Sequence, residues 1–183
     1  MLKIHVLPLG DYQTNCYIVH EENRNACFLI DPGYEPAIID AYLEEKGLTP
    51  EAIALTHCHF DHVGAVKDLV AQYDCKVYLC RKDLAMPPML TNGPLYYTDT
   101  YADGDTVTLA GIPVRVMETP GHTPGSVCLI AGDTMFSGDT LFAGSCGRTD
   151  LPCGDAREMR DSLRKLAKLE ENYRVCPGHG PSS

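Results

Sequence analysis

The chain has 183 residues, of which 44% are hydrophobic and 22% charged, and its formal net charge is −10. That length suits one compact domain with a sizeable core, and no apolar run reaches the ~18 residues needed to span a bilayer. The acidic balance, with no cluster of Lys and Arg, argues against a protein that binds nucleic-acid backbones.

The first third reads as strands. Leu2–Leu7, Cys16–His20 and Ala26–Ile30 are short β-prone runs separated by turn residues, and Asp31-Pro32-Gly33 ends the third. Pro36 to Lys46 predicts a helix: Pro36 fits the first turn, Ile39, Tyr42 and Leu43 form an apolar face, and Gly47 caps the end. Ala52–Leu55 reads as a buried strand. The segment THCHFDH, Thr56 to His62, follows it directly, and Val66, Leu69, Val70 and Tyr73 then recur at helical spacing. Lys76–Cys80 is the next strand. Met86 to Thr100, rich in Pro, Thr, Asn and Tyr, predicts a long irregular segment.

A second strand-rich block comprises Thr106–Leu109, Val114–Glu118, Val127–Ile130 and Thr134–Phe136. Asp155 to Leu169 predicts a helix with a stripe of Met159, Leu163, Leu166 and Leu169. Asp155 and Glu158 fit a capping box, and Lys165 and Lys168 suit the negative end of its dipole. Arg174–Cys176 is a last strand. This order predicts a layered α/β arrangement, two sheets with helices on their outer sides.

The chemistry is concentrated in the strand-end loops. THCHFDH packs three of the seven histidines and one aspartate into seven positions. His57 and His59, two apart, point the same way if the backbone is extended. Two converging imidazoles suit a transition metal. Asp61 and His62 follow at a helix start and can face a second point nearby. His122 in TPGHTPG, Asp139 in FSGDTLF and His179 in CPGHG each follow a predicted strand, with glycine at hand for a tight turn. His5 and His20 lie in N-terminal strands without such context and read as structural or surface residues.

The nine cysteines are odd in number and contain no CxxC pair. The N-terminus lacks the apolar region and small-residue cleavage site of a signal peptide. The expectation is reduced thiols in a soluble, cytoplasmic protein. Cys58, between two histidines, is a weaker candidate as an extra soft ligand.

THCHFDH, PGHTPG, SGDTLF and PGHG, in this order and at these separations, resemble the metallo-β-lactamase superfamily over essentially the whole chain. GSCGRTDLP, Gly144 to Pro152, resembles the glyoxalase II-like (hydroxyacylglutathione hydrolase-like) branch of small hydrolases. The resemblance implies a four-layer αββα sandwich with two mixed sheets and a site on one edge. It implies a first metal site of His57, His59 and His122, a second of Asp61, His62 and His179, and Asp139 bridging them. The metals are expected to be two divalent ions, zinc first, with iron or manganese as alternatives.

The implied activity is hydrolysis of a small-molecule acyl thioester by metal-activated hydroxide, which Asp61 orients. Two alternatives stand beside it: a persulfide dioxygenase using one iron on His57, His122 and Asp139, and another ester or lactone hydrolase of the same superfamily. No nucleic-acid or membrane partner is expected. Full-length glyoxalase II enzymes carry a helical C-terminal extension that helps hold glutathione, whereas this chain stops at Pro181-Ser182-Ser183. The expectation is a single domain over 1–183 without that extension. Arg148 is the basic residue of the GSCGRTDLP loop. It is read first as a structural arginine paired with Asp150 and second as a carboxylate ligand.

Overall fold

The computed structural model describes all residues, Met1–Ser183. Strands β1 (Leu2–Leu9), β2 (Thr14–Glu21) and β3 (Ala26–Ile30) form an antiparallel meander. Helix α1 (Pro36–Lys46) carries the chain to β4 (Thr49–Ala54), parallel to β3. Pro50 falls where the β3–β4 register shifts, a place a strand tolerates proline. Helices α2 (Phe60–Val63) and α3 (Val66–Tyr73) lead to β5 (Lys76–Cys80). A 3-10 turn (Arg81–Ala85) and α4 (Pro88–Thr91) precede β6 (Asp99–Tyr101). The six strands form one mixed sheet in sequential order, parallel from β3 to β6.

The second sheet contains β7 (Thr106–Leu109), β8 (Ile112–Glu118), β9 (Val127–Ala131), β10 (Thr134–Gly138) and β13 (Arg174–Pro177), in the order β13-β10-β9-β8-β7. Only β13 is parallel to its neighbour. Between β10 and β13 lie a small hairpin, β11 (Leu141–Phe142) with β12 (Ser145–Cys146), and helix α5 (Ala156–Ala167).

Strand alternation builds the layers. Along β2 and β3, Cys16, Ile18, Cys27 and Leu29 face α1 and α3, where they meet Ile39, Leu43, Val66 and Leu69. Their neighbours Tyr17, Val19, Phe28 and Ile30 face the other sheet and meet Val114, Val116, Leu129 and Phe136. Successive side chains point to opposite faces, so a strand buried on both sides is apolar throughout. The outer face of the second sheet packs Met117, Cys128, Ile130 and Met135 against Leu166, Leu169 and Tyr173 at the end of α5 and beyond. The result is the expected αββα sandwich. Fully burying a side chain such as Leu29 or Phe28 contributes roughly 1.5–3 kcal/mol relative to leaving it exposed.

Some local expectations shift. The segment from Met86 to Thr100 is not wholly irregular, for α4 lies within it and β6 begins in it. Edge strand β6 pairs on one side only and is three residues long, too short for an alternation signal. The β11–β12 hairpin is shorter still. Helix α5 ends at Ala167, with Lys168 as its C-cap, rather than running to Leu169. Asp155 caps it by accepting from the amides of Arg157 and Glu158, while its own amide donates to Gly121 O rather than completing a capping box. Lys165 reaches Asp103 and the Glu118 carbonyl instead of the helix end.

Candidate metal centre

Four loops meet on one edge of the sandwich. The first leaves β4 and carries His57 and His59 before α2 presents Asp61 and His62. The second joins β8 to β9 and carries His122. The third leaves β10 with Asp139, and the fourth leaves β13 with His179. Residues up to 122 positions apart, His57 and His179, thereby share one site.

The side chains converge in two groups, each with its potential ligand atoms within 4.8 Å of one another: His57, His59 and His122, and Asp61, His62, Asp139 and His179. His59 Nδ1 lies 3.0 Å from His122 Nε2. Asp139 stands between the groups. Its Oδ2 is 3.4 Å from His122 Nε2, 3.8 Å from His57 Nε2 and 3.3 Å from His179 Nε2, and its Oδ1 is 3.5 Å from His62 Nε2. Asp61 Oδ2 is 3.4 Å from His62 Nε2 and 3.2 Å from His179 Nε2. All seven sequence candidates are therefore gathered. A third grouping, Asp31 with His57 and His62, shares both histidines with the others.

An outer layer orients the rings. His62 Nδ1 donates to Asp31 Oδ2 at 2.8 Å, His122 Nδ1 to the Arg148 carbonyl at 2.8 Å, and His179 Nδ1 to the Tyr12 carbonyl at 3.0 Å. His57 Nδ1 lies 3.1 Å from Thr56 Oγ1. That hydroxyl gives its own hydrogen to Asp31 Oδ2 at 2.5 Å, so it accepts from the imidazole. With a hydrogen fixed on each outer nitrogen, a neutral ring points a bare Nε2 lone pair inward. His57 Nε2, His62 Nε2 and Asp139 Oδ1 face the cluster, buried without a protein hydrogen-bond partner, while His59 turns its Nδ1 inward and leaves its Nε2 buried and unpartnered on the other side of the ring. Inward lone pairs and two carboxylates, with no Lys or Arg among them, form a donor set that suits divalent cations.

The electrostatics agree. Burial pushes His57 well below the ordinary imidazole value and His59 down to about 4. Burial disfavours the Asp61 and Asp139 carboxylates, but their histidine neighbours outweigh it and hold both well below the usual carboxylate range. Burial also opposes charge on His62 and His179. Asp139 and Asp31 outweigh it at His62, and hydrogen bonds to Asp139 and Asp61 lift His179 to about 10. The site balances its two carboxylates either with protons on these histidines or with cations between the rings.

Several structural residues have no motif of their own. Asp31 accepts from the Thr56 amide, the Thr56 hydroxyl and His62. Asp83, fully buried, accepts from the Cys58 amide at 2.9 Å, the Gly125 amide at 2.6 Å and Thr123 Oγ1 at 3.1 Å, tying the first loop to the second. Asn15 Nδ2 donates to the carbonyls of Pro177 and Gly180, which fixes the fourth loop to β2. Gly178 allows close approach: a Cβ there would lie 2.2 Å from Asp139 Oδ1 and 2.8 Å from His62 Cε1. Asp31 has a faint signal in DPG after a strand. Asp83 has none.

The remaining expectations resolve plainly. The Cys58 side chain belongs to neither group, and burial pushes its thiol well up, away from the thiolate a metal ligand needs. All nine cysteines are free. His5 and His20 stay outside the site as a stacked pair, Nε2 to Nε2 3.1 Å, with Tyr42 hydroxyl 2.9 Å from His5 Nδ1. Arg148 pairs with Asp150, as first read. No helix is long and apolar enough to cross a membrane.

A cleft of ≈ 540 Å³ opens over the cluster, lined among others by His59, Asp61, His122, Asp139 and His179. Comparison with known proteins places this edge in a family context. A probable metallo-hydrolase, YqgX, of Bacillus subtilis is 37% identical over 100% of the chain and 92% of its own length. The hydroxyacylglutathione hydrolase of Klebsiella pneumoniae is 35% identical over 96% of the chain, which spans only 66% of that enzyme's length. Among solved structures, the BLEG-1 B3 metallo-beta-lactamase superposes with a TM-score of 0.90 at 34% identity, covering 100% of this chain and 93% of that one. TTHA1623 in a di-iron-bound form gives 0.85 at 39%, covering 98% and 93%. ETHE1 from Myxococcus xanthus gives 0.84 at 30%, covering 98% and 76%. The family model for the metallo-beta-lactamase superfamily matches residues 9–179, from the end of β1 to the last histidine of the cluster. A sandwich of this topology, matched from its first strand to its final loop, makes the chain a member of the metallo-beta-lactamase superfamily.

Proposed function

We propose that the protein is a dinuclear metal hydrolase acting on an acyl thioester, with residues 1–183 forming one catalytic unit. The observation that carries this reading is the pair of ligand groups joined by Asp139 on the floor of an open cleft. His57, His59 and His122 would hold one ion, Asp61, His62 and His179 the second, and Asp139 both. Zinc is the first expectation for His/Asp ligands, and the di-iron form of TTHA1623 makes iron the first alternative. Bound divalent ions supply Lewis acidity and a nucleophilic water that is deprotonated near neutral pH.

The protein's own groups set the conditions for that chemistry. Asp61, held ionised, accepts from Thr14 Oγ1 at 3.2 Å and faces the cleft. It is placed to accept a hydrogen bond from an attacking water and aim it at a carbonyl carbon. The buried rings of His57 and His62 close the floor against bulk solvent, so charge developing on a substrate oxygen is felt at low dielectric. A thiolate leaving group needs little protonation, and Tyr12 is the one neutral acid that lines the cleft beyond the cluster itself. The likeness to the Klebsiella hydroxyacylglutathione hydrolase supports the thioester class. A cytoplasmic site of action fits nine free thiols with no disulfide among them.

Metal content of protein purified without added metal, paired with assays on thioesters, esters and lactones, tests the proposal. About two ions per chain and thioester turnover without oxygen are expected. His59→Ala should lose metal and activity together. A second reading, one iron on His57, His122 and Asp139 performing oxygen chemistry on a persulfide, rests on those three residues standing on one side of the cluster. Oxygen consumption with a persulfide, one iron per chain and no thioester turnover would establish it instead.

A further inference from the structure

The walls of the cleft over the cluster are mainly apolar. Tyr12, Phe60, Leu90, Phe142 and Leu151 line it above the polar floor. Tyr12 and Phe60 meet edge to face at 5.5 Å, and Phe142 lies edge-on to His179 at 6.4 Å. The aromatic surface therefore runs down to the ligands themselves.

Arg148 is the one Lys or Arg among the lining residues. It is already engaged. Its Nε donates to Asp150 Oδ1 at 2.7 Å and its Nη2 to Oδ2 at 2.8 Å, a two-point fork. The pair is open to solvent, at 61% and 68% exposure, so it can rearrange. The Asp150 charge nevertheless stays beside the guanidinium and repels any carboxylate that approaches it. The Arg148 carbonyl, not its side chain, holds His122, so the side chain is free of structural duty at the metal centre.

Resting on the thioester-hydrolase reading, we infer that the cleft takes a thioester with an apolar acyl or thiol part and no terminal carboxylates, and that Asp150 sets this preference by neutralising Arg148. A glutathione thioester carries two carboxylates, which would meet a rim of no net positive charge on a protein of formal charge −10. An apolar carrier instead gains from each methylene buried against the aromatic wall, about fourfold in affinity.

The test compares the metal-loaded full chain on two probes, S-lactoylglutathione and the neutral phenylacetyl thioester of N-acetylcysteamine. The neutral thioester should have the higher kcat/KM. In Asp150→Asn, the ratio of kcat/KM for S-lactoylglutathione to that for the neutral probe should rise about fivefold, mainly through KM. In Arg148→Gln, where Asp150 is left alone at the rim, the same ratio should fall. A wild-type preference for S-lactoylglutathione, or a ratio unmoved by Asp150→Asn, overturns the inference while leaving the thioester-hydrolase reading intact. Turnover of neither probe overturns both.

Discussion

Asp31 Oδ2 lies 2.8 Å from His62 Nδ1, across 31 positions of sequence, and both side chains are buried. The same carboxylate takes the amide and the hydroxyl of Thr56, so one residue at the end of β3 fixes both ends of the THCHFDH segment. Removing it frees the His62 ring and leaves three donors unpaired. Loss of such a partner typically weakens metal binding 10–100-fold. Asp31→Ala should lower affinity at the Asp61–His62–His179 group by about that factor, read by competition with a chelator. Unchanged affinity would mean His62 is oriented by something else.

Asp83 does the same between loops. It is the only side chain that accepts from both the first loop, at Cys58, and the second, at Thr123 and Gly125. Asp83→Ala leaves buried amides without an acceptor, at about 1–3 kcal/mol each. Thermal unfolding should show a marked fall in Tm, and metal titration should show weaker binding at the His57–His59–His122 group. A variant with wild-type Tm would remove Asp83 from this role.

Gly178 tests the bridging position by steric means alone. A methyl group there would enter the space of Asp139 Oδ1 and His62 Cε1. Gly178→Ala should therefore displace the Asp139 carboxylate and reduce metal content below that of the wild type while circular dichroism stays near native. Full metal occupancy in this variant would show that Asp139 need not sit where it does.

Metal binding should release protons. Asp139 and its neighbours raise His62, and lift His179 to about 10, against the opposing effect of burial. At pH 7 both rings are then protonated in metal-free protein, and a ligand imidazole must be neutral. Calorimetry in buffers of different ionisation enthalpy should report about two protons released per chain on loading. A value near zero would contradict the raised pKa values. The sign for stability follows. In metal-free protein these histidines contribute fully below the unfolded value of ~6.5, and the contribution fades as pH climbs through about 10 at His179.

The sequence by itself determined the layered α/β order and all seven residues of the cluster. Each of those residues sits in a short segment whose neighbours announce it: histidines two apart after a buried strand, or a glycine turn around His122 and His179. Such signals are local because a tight turn and a strand end are local structures. Tertiary structure alone decided the rest. Asp83 and Asn15 look like ordinary polar residues, and the loops they tie down lie 25 to 165 positions away. The two-residue strands of the β11–β12 hairpin are too short to show alternation. The pairing of Arg148 with Asp150, two positions on, was legible in the sequence, but its two-point fork and its place on the rim of the cleft were not. A hydrogen bond needs its atoms within about 3 Å and correctly aimed, and only the folded chain supplies that.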